Sequence, residues 1–453
     1  MSYQLGIDVG TTYSAAAVHR DGRADVASLG GRAPSIPSVV FLREDGTFLT
    51  GDAAERRSTT QPERVVREFK RRLGDSTPII VAGSPYSAES LTARLLTAIV
   101  DQVVQTEGGR PDKIVITHPA NWGNFKVDLM GQAVSLAGLD PEVVSFITEP
   151  EAAAISYAAQ QRVDAGEVIA VYDLGGGTFD AAVLRRTAAS FEIIGRPEGI
   201  ERLGGIDFDA AVFAHVVDSL GDLLADLDPE DPAAVSAVAR LRRDCVEAKE
   251  ALSSDTDAVI PVLIPERQTE MRITRSEFER LIRPSLLDTV GAMERAVASA
   301  ELEMSEVSRI LLVGGSSRIP VVSQLVASQL ARPVAVDTHP KHTVAVGAAF
   351  AAGGVLEKLD EADGGGSELP EAAPAPDPAA DEAAGDGLGF QVGQTRLTDA
   401  PLPGRTLFHT PEHLAGPGVA TPPRRATPAA EVRAPKPAGP ATPDPSPRRR
   451  PPK

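Results

Sequence analysis

The chain of 453 residues contains one cysteine, Cys245. That excludes an internal disulfide framework and any zinc site built from a cysteine cluster. Basic residues are outnumbered, 45 Lys and Arg against 63 Asp and Glu, for a net charge of −18. Broad electrostatic attraction to nucleic acid or to an anionic membrane is therefore not the main activity. No apolar run approaches the ~18 residues of a membrane span, and the start M-S-Y-Q-L-G-I-D reaches Asp8 without a basic leader segment. A soluble, cytoplasmic chain is the expectation. Familiar catalytic strings are missing as well. There is no Gly-Lys dipeptide and hence no P-loop, and neither G-x-G-x-x-G nor G-x-S-x-G occurs. His19-Arg20-Asp21 spells a kinase-like triplet, but no D-F-G accompanies it and Asp21-Gly22 suits a hairpin turn. His409 and His413 have helical metal-ligand spacing but fall in a stretch unsuited to holding a metal.

That stretch is the C-terminal tail. Residues 364–453 hold 19 of the 37 prolines, with no Trp or Tyr, a composition that cannot bury enough apolar surface to offset chain entropy. Signs are segregated within it: 364–421 carries two basic and eight acidic residues, and 422–453 eight basic and two acidic. A disordered, partly polyproline linker is one reading. The other is a docking segment whose basic end meets an acidic protein partner or the acidic body.

Ahead of the tail, strand and helix patterns alternate. Runs Tyr3 to Val9 and Tyr13 to His19 flank a Gly-Thr-Thr turn, and Glu167 to Asp173 and Thr178 to Arg186 flank Gly-Gly-Gly. In each unit an apolar strand ends in Asp, a glycine turn follows, and an alternating strand leaves it. Asp8 and Asp173 lie 165 residues apart, which predicts an internal duplication and two similar α/β lobes, 1–165 and 166–363, before the tail at 364–453.

The turns imply phosphate chemistry. Gly10 and Gly175, Gly176 and Gly177 let backbone N–H groups approach phosphate oxygens, and the hydroxyls of Thr11, Thr12 and Thr178 add donors. Carboxylates repel phosphate, so Asp8, Asp173 and Asp180 around a polyphosphate require a cation between them. Mg²⁺ fits, since it keeps waters that donate to carboxylates.

Seven ordered strings resemble the nucleotide-binding domain of the heat-shock protein 70 (DnaK-like) chaperones: G-I-D-V-G-T-T-Y-S from Gly6, F-K-R-R-L-G from Phe69, T-E-P-E-A-A-A-I from Thr148, V-Y-D-L-G-G-G-T-F-D from Val171, L-G-G-I-D-F-D from Leu203, A-K-E-A-L-S-S from Ala248 and L-V-G-G-S-S-R-I-P from Leu312. The resemblance implies an actin-like ATPase fold, two RNase H-like lobes flanking a cleft that takes ATP or ADP with Mg²⁺. It implies that Thr11, Thr12 and Tyr13 hold phosphates from one lobe and Gly175, Gly176, Gly177 and Thr178 from the other. Lys70 matches the catalytic lysine, whose bland alternative is a solvated lysine among Arg67, Arg71 and Arg72. Glu149, Asp8, Asp173 and Asp180 match carboxylates that order Mg²⁺ waters and the attacking water, with Asp8 and Asp173 facing the metal through water; spacing leaves open which takes the proton. Gly204, Gly205 and Asp207 match a turn near phosphates and ribose, Lys249 and Ser253 nucleoside contacts, and Gly314, Gly315 and Arg318 a wall of the adenine pocket.

Departures gather at the base end, where Val246, Glu250 and Lys341 stand in place of an expected glutamate, a base-stacking residue and an aspartate. Pro119 matches the family's switch proline, but the arginine expected eight positions on is Val127, beside Lys126. After Leu356 the chain turns to the tail rather than to a peptide-binding β-sandwich, so no peptide-binding domain is expected. The implied function is slow Mg²⁺-dependent ATP hydrolysis, with lobe closure switching an unknown protein partner. The alternative is a nucleotide sensor or scaffold that barely hydrolyses. An actin-like filament or a sugar kinase shares the fold but not the strings around Lys70 and Glu149.

Overall fold

The computed structural model describes residues 2–354, except positions 32, 59, 189, 222–226, 229–230, 266 and 337–341. Lys341 and the whole tail, 364–453, lie outside the described residues.

A six-stranded and a five-stranded sheet carry the fold, and the five-strand path of the first has the same order as the second. In the first, Val144–Thr148, Lys113–His118, Gln4–Val9, Tyr13–Arg20 and Arg23–Val26 lie side by side, with Ile36–Pro37 pairing against Tyr13–Arg20 off this path. In the second the order is Arg309–Val313 flanked by Val334–Val336 on one side and by Val168–Leu174, Phe179–Arg186 and Phe191–Ile200 on the other. Each sheet is an antiparallel three-strand meander whose first strand pairs in parallel with a later one. The Asp-plus-turn units at Asp8 and Asp173 occupy the same corner of the two sheets.

The central strands are apolar on both faces because both faces are covered. Leu5, Ile7 and Val9 point into one core with helix Ala88–Glu107. Ala170, Tyr172 and Leu174 point into another with helix Arg275–Ser299. The opposite faces are covered by two helices that cross between the halves of the sequence. Helix Glu149–Ala158, capped by a reciprocal Thr148 and Glu151 pair, packs Ala152, Ala153 and Ile155 against Ile169, Val171 and Leu184 of the second sheet. Helix Thr343–Gly353 lies on the first sheet, with Ala345 and Ala349 against Ala15 and Ala17.

These two helices meet backbone to backbone. A Cβ placed on Gly347 falls 1.7 Å from the Ala152 carbonyl oxygen, and one on Gly6 falls 2.2 Å from the Ala349 nitrogen. Only glycine fits at either position. Gly347→Ala is expected to destabilise the protein by about 1–3 kcal/mol through overpacking, read as a lower urea midpoint at constant slope; an unchanged midpoint would show that the helices can separate at little cost.

Candidate functional site

Between the sheets lies a cavity of about 430 Å³, walled by both lobes. Asp8, Gly10, Thr11, Thr12, Tyr13, Lys70 and Glu149 line it from the first half of the chain; Asp173, Gly175, Gly176, Thr178, Gly205, Lys249, Ser253, Gly314, Gly315 and Arg318 line it from the second. Four expected site residues, Gly177, Asp180, Gly204 and Asp207, stand behind this wall rather than on it.

Lys70 sits on the 3₁₀ turn Phe69–Arg72. Its ammonium is 7% exposed and donates to Glu149 Oε1 at 2.5 Å. Burial alone pushes this lysine's pKa down, but the Glu149 and Asp8 charges outweigh burial and raise it. The lysine is a fixed cation, held by the first residue of the helix that Thr148 caps.

The strand-end acids have the opposite problem. Burial pushes Asp8 up to about 6, against the Lys70 charge and a Thr117 hydroxyl donating at 3.2 Å. Burial and then the charges of Glu149, Asp180 and Asp8 push Asp173 well above the usual carboxylate range. Asp180, 2% exposed, is pushed up to about 7 by burial and by Glu149, and its Oδ1 is buried without a hydrogen-bond partner. Crowded, under-compensated carboxylates with an orphaned oxygen fit a cation brought by a ligand. Among the described residues no three His, Cys, Asp or Glu side chains form a cluster that could hold a metal ion.

Hydrogen bonding from behind sets the direction of both glycine turns. In the first, Gly10 O accepts from Ser38 Oγ at 2.7 Å and Thr12 O from Ser38 N at 2.8 Å. In the second, Gly175 O accepts from Ser316 Oγ at 2.8 Å and Gly205 N at 3.1 Å, and Gly176 O from Ile206 N at 2.8 Å. A trans peptide points its N–H opposite to its C=O, so carbonyls tied back turn the following N–H groups away from those anchors. The turns also abut one another: a Cβ on Gly176 falls 2.0 Å from Thr12 Oγ1 and one on Gly177 2.5 Å from Thr11 Cγ2. The missing side chains of these glycines let the two turns touch.

At the other end of the cavity, Lys249 is buried and committed to its own lobe, pairing with Asp209 at 2.8 Å and reaching Gly205 O at 3.2 Å. Ser253, Val246 and exposed Glu250 line the wall beside it, facing exposed Arg318 and buried Ile319.

Several contributors escape a reading of the sequence. Ser38 lies in none of the strings, and Ser316 lies within L-V-G-G-S-S-R-I-P without a role assigned to it; both act through backbone carbonyls of the turns. Trp122, the single tryptophan, stacks on His118 with centroids 6.1 Å apart and stands 5.9 Å from Lys70 Nζ. The unusual H-P-A-N-W string was the available signal.

Ionising Asp180 costs stability in the ligand-free protein. Its pKa rises on folding, so the native state binds more protons than the unfolded chain between about pH 4 and pH 7, and stability falls as pH rises through that window. Asp180→Asn should flatten the fall, giving a higher melting temperature than the parent at pH 8 and little difference at pH 4; equal pH profiles would exonerate this carboxylate.

The family described as Hsp70 protein matches this chain over residues 4–79 and 75–363. The chaperone protein DnaK of Methanothermobacter thermautotrophicus is 34% identical over 365 residues, covering 78% of this chain and 59% of that protein. The chain thus spans about three fifths of the length of this curated relative. The shared sheet order and the crossed helices accord with the actin-like ATPase fold that this family carries. No described helix is long and apolar enough to cross a membrane.

Proposed function

The chain belongs to the Hsp70 family, and on that premise we propose that it binds ATP with Mg²⁺ in the cleft and hydrolyses it slowly, lobe closure switching a protein partner. The single observation that carries this reading is the meeting of Lys70, Glu149 and the strand-end acids of both lobes on one cavity, beside two glycine turns tied back from behind.

Each group then has a task. Tyr13 and the hydroxyls of Thr11, Thr12 and Thr178, together with the turn N–H groups, hold the phosphates. Lys70 presents a positive point charge suited to a loose phosphoryl-transfer transition state, and Glu149 fixes where it points. Asp8 and Asp173 keep part of their surface on the cavity and hold the waters of the ion. Mg²⁺, when bound, neutralises charge that develops on the phosphates. Asp180 stands behind them as a further acceptor. The second lobe alone has this extra acid, since Asp173 pairs with Asp180 while Asp8 pairs with Ala15. Arg318 and Ile319 form a wall for the base, and a cytoplasmic setting belongs to the same proposal.

Removing one preorganised donor aimed at developing charge typically costs ~10² to 10³ in rate. Lys70→Ala should lose that much in single-turnover ATP hydrolysis with Mg²⁺ while nucleotide affinity falls far less. Hydrolysis at the parental rate would take Lys70 out of the mechanism, and no Mg²⁺-dependent hydrolysis by the parent would leave the sensor reading.

That second reading is favoured by the base end, where Val246 offers no hydrogen bond and Glu250 stays exposed on the wall. A lost base contact costs roughly 1 kcal/mol where solvent compensates. Calorimetry should therefore give ADP and GDP affinities within about tenfold of each other for one such contact. Strict adenine selectivity would mean that other residues complete the pocket.

A further inference from the structure

We propose that Arg71 is a positioning residue: reaching across the cleft, it orients the second glycine turn, so that this turn is set for phosphate only when the lobes are closed. The proposal rests on the hydrolysis reading above. It starts from the neighbour of Lys70. Glu68 enters the turn Phe69–Arg72 at φ 56°, a left-handed conformation uncommon for a non-glycine residue. In a 3₁₀ turn consecutive side chains diverge by about 120°. Lys70 therefore stays with Glu149 in its own lobe while Arg71 leaves for the other.

Arg71 Nη2 donates to the Gly177 carbonyl and pairs with Asp207 Oδ2 at 3.0 Å, while Nη1 is steadied by Glu68 Oε2 at 3.2 Å. The side chain is 14% exposed and absent from the cavity wall, so it acts on the turn from behind. With the Gly177 carbonyl drawn toward Arg71, the planar trans peptide turns the Thr178 N–H the other way, and Thr178 lines the cavity.

The three carbonyls of this turn are not held alike. Those of Gly175 and Gly176 are tied by Ser316, Gly205 and Ile206 of the same lobe. Arg71 holds the third from the opposite lobe. The first turn has no such dependence in the bonds described above, since Ser38 serves both Gly10 and Thr12 from within its own lobe. Space is tight as well: a Cβ on Gly177 falls 2.6 Å from Arg71 Nε. Opening the cleft thus releases the Gly177–Thr178 peptide and leaves Lys70 in place.

The test uses the full chain with Arg71→Ala, Arg71→Lys and Asp207→Asn. Readouts are single-turnover ATP hydrolysis, ADP affinity, the ADP release rate and the emission of Trp122 with and without ADP. A misplaced turn lowers the rate on the order of 10²-fold. We expect that loss for Arg71→Ala with less than a tenfold loss of ADP affinity, severalfold faster ADP release and a diminished ADP-induced change in Trp122 emission. Lysine, which keeps the charge but is shorter and lacks the planar guanidinium fork, should recover part of the rate. Asp207→Asn, which spares the carbonyl contact, should lose less than Arg71→Ala. Parental rates in a folded Arg71→Ala protein, or equal losses in affinity and rate, overturn the proposal. If Arg71→Ala fails to fold, the ranking of Arg71→Lys below Asp207→Asn decides. If the parent does not hydrolyse, the ATPase reading fails by itself, and unchanged ADP release in Arg71→Ala then overturns the role of Arg71 separately.

Discussion

Lys70 and three acids line the floor of one cleft, and a fourth acid, Asp180, is buried next to them. Asp8, Glu149, Asp173 and Asp180 surround Lys70, whose single ammonium is already engaged at 2.5 Å by Glu149. Burial pushes Asp8 up to about 6 and Asp180 up to about 7, with the Glu149 charge adding to it, while the Glu149 and Asp8 charges, strengthened by the low local dielectric, hold the lysine as a cation. The ligand-free floor is therefore a poor place for these acids and a good one for a hydrated divalent ion. Stability and ligand demand come from the same residues.

Much of this was legible because the duplication repeats a strand, an acid and a glycine turn. The pairs Gly6 to Ser14 and Val171 to Asp180 announce two equivalent corners, and the sheets have the order that such corners require. Helices with one apolar face were also visible: Ala88–Glu107 turns Leu91, Leu95, Ile99 and Val103 to the core and leaves the other face wet. Helix Thr343–Gly353 was not. Its T-V-A-V-G-A-A-F-A-A-G sequence has no polar face to set a period, since it is wedged between the first sheet and a second helix. Strand Phe191–Ile200 escaped too, as Gly195, Pro197 and Gly199 argue against a strand interior. In the fold it is the edge of the second sheet, where proline is tolerated. Gly199 is fixed by the neighbouring loop, because a Cβ there falls 2.0 Å from the Asn121 amide.

The site divides along the same line. Turns and acids sit at strand ends, where the sheet alone dictates their position. The base end depends on how helix Pro232–Ala251 lies beside the segment Gly314–Ile319, which no local pattern encodes. Lys249 shows the difference: its string matches the family, yet its ammonium is spent on Asp209 and Gly205 within the lobe. Glu250 one residue on is free to face the cavity mouth, where its charge reaches the Tyr13 hydroxyl from the other lobe and, after burial, helps push that phenol's pKa up. A carboxylate beside that phenol adds no attraction between the two halves of the chain at this end of the cavity.

The two halves of the fold are held together where two helices touch backbone to backbone. The backbone contact of Gly347 with Ala152 leaves no side chains to slide, and close-packed interiors transmit displacement rather than absorb it. Side-chain contacts between the halves lie across the cleft. There Lys126 meets Glu201 at 3.0 Å, but Glu201 is 74% exposed, and pairs so wet contribute about 0–1 kcal/mol. Arg71 with Asp207 is drier and also grips a backbone carbonyl, so it resists opening more. The strongest bond across the cleft is thus one residue from Lys70. The arginine that ties the two halves together and the lysine buried in the cavity floor are joined by a single peptide bond.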